Sequence, residues 1–349
     1  MNTEKTPSIL VTGASGFIGS FIVQCALERG YEVWAAVRKG SSREYLKDPH
    51  IHFFFLDLQS DDRLEKSLIE HRQHYGAWDH VIHAAGATKC RSKADFYRTN
   101  TDGTLRLARL LKKTECLTGR FVFISSLSVM GAIRERSVCS KETAWHYQPI
   151  LDTDQPKPNT TYGKSKWKAE MGLRDIPGLD YVILRPTGVY GPREKDYFLM
   201  AKSIKQHVDF AVGYSPQEIT FIYVRDLAEA TVAALTQGKS GKAYFLTDGE
   251  VYTSRTFSDL LQKELGVRRV LHIKAPLWVL YVVSVVAGTV AGWMKKTSTL
   301  NPDKYRIMKQ RNWQCDISAA CRDLDYAPKY NLKKGVRETV QWYKKEQWI

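Results

Sequence analysis

Apolar and polar positions follow two periods through the first half of the chain. Short apolar runs at 9–11, 32–37, 51–56, 80–84 and 120–124 have the length and the polar boundaries of buried strands. Between them, apolar residues recur every three or four positions at 16–29, after Asp61 and at 101–113, which predicts amphipathic helices. Strand and helix in alternation build a parallel, doubly wound sheet, because neighbouring parallel strands need a crossover long enough to hold a helix. One further strand is expected at 181–184, and the Pro-, Gly- and charge-rich stretch from 185 to 196 then leaves the sheet. The segment from 221 to about 240 reads as a return to the first lobe before the chain finishes in a second one.

Composition narrows the class. With 349 residues, 43% of them hydrophobic, the chain can bury one large core or two smaller ones. Its six cysteines lack Cys-x-x-Cys spacing and framework density, so a reducing cytosol is expected and no metal site. Residues 1–6 carry no charged-then-apolar leader, and nothing there directs export. The net charge of +15 points to an anionic membrane surface or an anionic substrate. Nucleic acid is not expected, because the cations are spread along the chain without a recognition helix or aromatic-basic interleaving.

The turn after the first strand, Thr12-Gly13-Ala14-Ser15-Gly16-Phe17-Ile18-Gly19, opens the first helix. Gly13 permits the tight turn, Gly16 lets the backbone approach a pyrophosphate, and Gly19 lets helix and strand pack closely. Backbone around Ser15, Phe17 and Ile18 then faces the phosphates at the helix N-terminus. The second strand of an NAD site usually ends on an acid. Here it ends Val37-Arg38-Lys39-Gly40-Ser41-Ser42-Arg43. Arg38, Lys39 and Arg43, with Ser41, suit a 2′-phosphate and no carboxylate repels it, so NADPH is expected over NADH. Asp57 is placed at the adenine edge with Leu58, and Ala84-Ala85-Gly86 lets the next strand end run close under the cofactor.

Further on, Tyr162-Gly163-Lys164-Ser165-Lys166 puts a tyrosine and a lysine four residues apart on one helix face. An adjacent ammonium favours tyrosinate and is expected to lower the phenol from its ordinary pKa of about 10. Tyr162 then exchanges a proton with a substrate oxygen as hydride moves to or from its carbon. Ser125-Ser126 ends a strand, and Ser126 is chosen as the hydroxyl that holds the same oxygen.

These motifs, together with Asn100-Thr101-Asp102-Gly103-Thr104, Leu184-Arg185-Pro186-Thr187-Gly188-Val189-Tyr190-Gly191-Pro192 and Phe221-Ile222-Tyr223-Val224, resemble in order those of the extended short-chain dehydrogenase/reductases. That group includes NAD-dependent epimerases and dehydratases and the 3β-hydroxysteroid dehydrogenase-like proteins. The resemblance covers nearly the whole chain. It implies an NAD(P)-binding Rossmann domain at 1–186, rejoined by 221–240, and a smaller C-terminal substrate lobe made of 187–220 and 241–349. It also implies a Ser126, Tyr162 and Lys166 triad, with cofactor contacts that include Asn100 and Pro186.

Sugar-nucleotide members usually grip the pyrophosphate with an Arg shortly before Phe-Ile-Tyr-Val. Here Ile219 stands near that place, and Glu218 beside it would repel phosphate. Residues 275–294 carry no charge, with Lys274 on one side, Lys295-Lys296 on the other, and Trp278, Tyr281 and Trp293 near the edges. The segment is long enough to span a bilayer. The tail from 312 to 342, however, resembles the family's closing segment, so a helix lying in or dipping into one leaflet is expected ahead of a buried lid or a true span. Ser284, Gly288 and Gly292 form a small-residue stripe that admits a homodimer. The pattern looks like bacterial proteins grouped with sterol dehydrogenases, among them 3-ketosphinganine reductases. The expected activity is NADPH-dependent reduction of a lipid ketone to a secondary alcohol at the cytoplasmic face of the membrane, 3-ketosphinganine first and a 3-ketosteroid second. The alternatives are an NAD-dependent sugar-nucleotide epimerase or dehydratase, and a non-catalytic dinucleotide-sensing regulator.

Overall fold

The computed structural model describes residues 6–136, 138–140, 143–293 and 302–349. β1 (Ser8–Thr12) is buried along its whole length and passes through the glycine turn into α1 (Phe17–Glu28). β2 (Glu32–Val37), β3 (His52–Phe55), α2 (Asp61–Tyr75), β4 (His80–His83), α3 (Lys93–Tyr97), α4 (Gly103–Lys113) and β5 (Phe121–Ile124) continue the alternation. A π-helical turn, Arg98–Asp102, joins α3 to α4. The antiparallel pair β6 (Val138–Ser140) and β7 (Thr143–His146) precedes α5 (Thr161–Arg174) and β8 (Tyr181–Pro186). Then come β9 (Gly188–Tyr190), α6 (Asp196–Lys205), β10 (Val208–Val212), β11 (Glu218–Ile219), β12 (Phe221–Tyr223) and α7 (Val224–Ala233). The chain closes with β13 (Ala243–Leu246), β14 (Tyr252–Thr253), α8 (Thr256–Leu265), β15 (Leu271–Ala275), α9 (Leu277–Trp293), α10 (Pro302–Lys309), α11 (Ser318–Leu324) and α12 (Leu332–Lys345).

Seven strands form one parallel sheet in the order β13-β8-β5-β4-β1-β2-β3. Side chains alternate across it: Ile9 and Val11 join Phe21, Ile22 and Leu227 on the α1 and α7 face, while Leu10 joins Leu64, Leu107 and Ala169 on the face of α2, α4 and α5. Burial on both faces explains why the strands read as apolar runs rather than as alternation. The winding reverses between β1 and β4, and the crevice beyond the strand ends there is where ligands of such sheets bind.

The lobe boundary expected at 240 needs correction. β13 pairs with β8 as the edge of the large sheet, and Ala320, Leu324 and Tyr326 pack into its α1 and α7 face. Residues 243–246 and 318–326 therefore belong with the sheet. β13 is a four-residue strand at the edge of the sheet. The second lobe gathers around Tyr190, Phe221, Phe257, Val336 and Tyr343. Asp226 of α7 accepts the backbone N–H groups of Lys329 (3.2 Å) and Tyr330 (3.0 Å), fastening the closing segment to the returning helix. The apolar helix expected at 275–294 is α9; Met294, Lys295 and Lys296 lie outside the described residues. Among the described residues no helix is long and apolar enough to cross a membrane.

Candidate active site

Two strand ends meet at the crevice. Gly13 turns with φ +69°, and a Cβ there would lie 2.7 Å from the Ala85 nitrogen and 2.9 Å from the Ala84 oxygen, so the first turn and the end of β4 touch through a glycine. A Cβ on Gly19 would collide with the Gly13 carbonyl oxygen, which is how closely α1 packs on the turn. Gly16 is the extended N-cap of α1 and supplies no side-chain cap. The first-turn amides near Phe17 and Ile18 are thus left for an anion, and the cradle fits a dinucleotide pyrophosphate. Gly13→Ala combines strain at positive φ with this clash, at about 1–3 kcal/mol. The expected result is a Kd for NAD(P)H raised about 10- to 100-fold, read by titrating nicotinamide fluorescence.

Behind the turn runs a buried chain of hydrogen bonds. Thr104 donates to the Asn100 carbonyl (2.8 Å), so its oxygen accepts from Nε2 of His83 (2.9 Å). Nδ1 of His83 then accepts from the Thr12 hydroxyl (2.8 Å), which itself accepts the Ala85 N–H (3.2 Å). Burial and the nearby Lys166 charge push the His83 pKa down to about 3, so the imidazole stays neutral and the order of donors holds at physiological pH.

The loop after β2 makes a tight turn in which the Ser41 N–H donates to the Arg38 carbonyl (3.0 Å). Arg38 and Lys39 are exposed, and neither has an ion-pair or hydrogen-bonding side-chain partner among the described residues. Arg43 lies instead over the rings of Phe53 (4.1 Å) and Phe55 (5.8 Å). The Asp57 carboxylate is fixed by Arg63 (3.1 Å) and by the Gln59 N–H (2.9 Å), with Leu58 beside it against Gly103. Pro186 closes β8 at the same edge of the sheet.

The catalytic candidates come from β5 and α5. Thr160 caps α5 by accepting the Gly163 N–H (3.0 Å), and Asp303 of α10 accepts the Thr161 N–H (2.8 Å), which sets Tyr162 in the first turn. The Ser126 hydroxyl accepts the Ser128 N–H (3.2 Å) and lies close enough to the Tyr162 phenol to favour its ionised form. Ser125 points elsewhere, donating to Glu170 at 2.5 Å. Lys166 is buried, donates to the Ile124 carbonyl (2.8 Å), and stands over the Phe123 ring (4.6 Å). Gly86 passes against it: a Cβ there would lie 3.0 Å from the Lys166 Nζ.

One expectation changes. Burial pushes the Tyr162 pKa up to about 12, with the nearby Ser126 hydroxyl acting against it, so the chain's own residues hold a neutral phenol. The ammonium expected to lower it is engaged with Ile124, and burial draws the Lys166 pKa down to about 8. Asn100, expected at the cofactor, is fully buried, and its amide is occupied by Ala87 (2.8 and 3.0 Å) and Ser165 (3.0 Å). These bonds tie the β4 loop to α5.

The sequence reading missed the Glu170–Arg185 pair. Glu170 follows Lys166 by one helical turn, a spacing that could have signalled it, and Arg185 reaches it at 2.6 and 3.1 Å from β8. With Ser125 this buried group ties the catalytic helix to β5 and β8.

The model of the NAD dependent epimerase/dehydratase family matches residues 9–247. The chain belongs to that family. Among its relatives, a dTDP-glucose 4,6-dehydratase of Streptomyces antibioticus is 26% identical over 97% of this chain and 92% of its own. A UDP-glucose 4-epimerase of Vibrio cholerae is 27% identical over 97% and 96%. A decarboxylating sterol-4-alpha-carboxylate 3-dehydrogenase of Candida albicans is 24% identical over 97% and 98%. None of these is a 3-ketosphinganine reductase, so that finer resemblance is not carried by them. Among solved structures, UDP-glucose 4-epimerase of Thermotoga maritima with UDP-glucose superposes with a TM-score of 0.74 at 22% identity, covering 97% of this chain and 99% of its own. The dTDP-glucose 4,6-dehydratase of Bacillus anthracis in complex with NAD gives 0.74 at 21%, covering 98% of each. The parallel sheet described above is the fold they share.

Proposed function

We propose that this family member moves a hydride between a nicotinamide dinucleotide and a carbon bearing a hydroxyl or keto oxygen, and the observation that carries the reading is the Ser126–Tyr162 pair beside buried Lys166. When bound, the dinucleotide supplies or accepts the hydride. In the reducing direction the neutral Tyr162 phenol gives its proton to the substrate oxygen, Ser126 holds that oxygen, and the Lys166 ammonium offsets the charge left on the phenol.

Nucleotide sugars are the substrate class with the wider support, since the dehydratase and epimerase relatives match along nearly their whole length. The reading is then an epimerase or dehydratase, ahead of the lipid ketone reductase. One observation favours a lipid or sterol alcohol and its ketone as the second class. Beside Ile219, which stands near the place of the pyrophosphate-gripping Arg, the Glu218 carboxylate is buried and accepts from the Tyr147 N–H (3.1 Å), with His146 at 3.0 Å and no arginine or lysine partner among the described residues. A buried carboxylate there disfavours a diphosphate and tolerates an uncharged substrate like that of the sterol relative. Purified protein offered UDP- and dTDP-glucose, 3-ketosphinganine and a 3-ketosteroid, each with NADH and NADPH, separates the classes. Conversion of a sugar nucleotide supports the first, reduction of a lipid ketone the second, and turnover retained in full by Tyr162→Phe overturns both.

NAD is the cofactor that neighbouring structures hold. For this chain NADPH is proposed over NADH, supported by the unpaired Arg38 and Lys39. Hydrogen bonds to charged groups contribute about 1.5–3 kcal/mol. Arg38→Ala with Lys39→Ala is expected to weaken NADPH at least about tenfold and leave NADH unchanged in paired titrations.

A further inference from the structure

We propose that α9 and the outer face of the β10–β15 pair form a docking surface for an anionic lipid bilayer, whichever substrate class the active site takes. Helix α9 has 17 residues without a charge, and only Leu280 and Ser284 among its described side chains are buried. Trp278 is 70% exposed, and Tyr281, Val282, Val283, Val285 and Val286 are exposed with it. At 100° per residue these positions sweep about 200° of the helix surface. A helix apolar over so wide an arc is ordinarily buried, and the helix of a second copy would cover one flank of it. A leaflet covers the whole arc, leaving the Leu280–Ser284 stripe to the protein.

The patch continues beyond the helix. Leu271 and Ile273 of β15 and Phe210 of β10 are exposed, the first at 64% and the last at 62%, on a parallel pair that leads directly into α9. Cations border it: Lys205 ends α6, Arg268 and Arg269 precede β15, and Lys274 precedes α9, all exposed and none in an ion pair among the described residues. The neighbouring acids are turned inward or paired. Asp209 is buried against Ser258 and His272, and Glu264 lies 3.7 Å from Arg337. Apolar side chains rimmed by uncompensated cations complement the hydrocarbon and the headgroups of an anionic leaflet. The surface also reaches the reaction centre. Tyr281 of α9 packs on Tyr305 of α10 (5.3 Å between rings), and Asp303 of that short helix holds the Thr161 N–H next to Tyr162.

The test is flotation of the full chain with phosphatidylglycerol-containing vesicles and with pure phosphatidylcholine vesicles. The wild-type protein is expected to float at least about tenfold better with the anionic vesicles. Trp278→Glu with Val282→Glu is expected to lower that partition at least about tenfold, with NADPH binding intact as evidence of folding. Should that variant misfold, Arg269→Glu with Lys274→Glu reads the electrostatic part alone, with a similar loss expected. Wild-type protein that stays unbound on anionic vesicles overturns the proposal. So does a dimer in sedimentation that the apolar double variant dissolves while vesicles leave the wild type unbound, because the occupant is then a second copy. Substrate turnover is not needed for any readout, so failure here leaves the reaction untouched.

Discussion

Tyr162→Phe is expected to lower turnover about 10²- to 10⁴-fold, the range a positioned acid or base contributes, while NAD(P)H affinity stays unchanged. The phenol is neutral at physiological pH, stands beside Ser126, and can give up a proton. Its ring stays in place in the variant, packed edge-on to Phe96 at 6.4 Å, so binding and chemistry separate cleanly. The pH profile gives a second readout. Burial draws the Lys166 pKa down to about 8, so the ammonium is present below that pH and lost as pH rises through it. Since the ammonium offsets the charge that develops on Tyr162 during reduction, kcat/KM for reduction is expected to fall above about pH 8. Lys166→Met is expected to remove that limb. A variant that keeps it assigns the titration to another group.

Arg185→Met is expected to cost about 3–5 kcal/mol of folding stability, because it strands a buried carboxylate. The Glu170 side chain is 0% exposed and that of Arg185 5% exposed, at 2.6 Å. Neither charge can recover its hydration if the other is removed. Glu170→Met is expected to cost a similar amount, whereas the double substitution recovers most of the loss because two apolar side chains then fill the same space. Urea unfolding of the four proteins reads the cycle. Additive losses would show that the pair acts as two independent residues. Glu170→Met also removes the acceptor of the Ser125 hydroxyl, so reduced turnover at unchanged dinucleotide affinity is the accompanying sign.

Much of the site is legible in the chain because its signals are local. Gly13, Gly16 and Gly19 answer to backbone geometry within one turn, and Tyr162 and Lys166 share a face through helix periodicity alone. The direction of the Tyr162 pKa is not legible, since it depends on how much water the fold removes around the phenol and on where Lys166 sends its proton. Asn100 shows the same limit. A motif marks it as part of the site, but only packing shows that its amide is spent on Ala87 and Ser165.

By itself the sequence determined the alternation of buried strands and amphipathic helices, and with it a parallel sheet opening on a glycine turn. Those features follow from hydrophobic period and backbone permissiveness, which act over a few residues. The tertiary structure decided what lies far apart in the chain: β13 at the edge of the sheet, Glu170 opposite Arg185, and Asp303 capping the helix of Tyr162. It also decided that α9 leaves Trp278, Tyr281, Val282, Val283, Val285 and Val286 exposed. Burial and hydrogen-bond pairing are properties of surfaces brought together by folding, and no window of residues contains both sides of them.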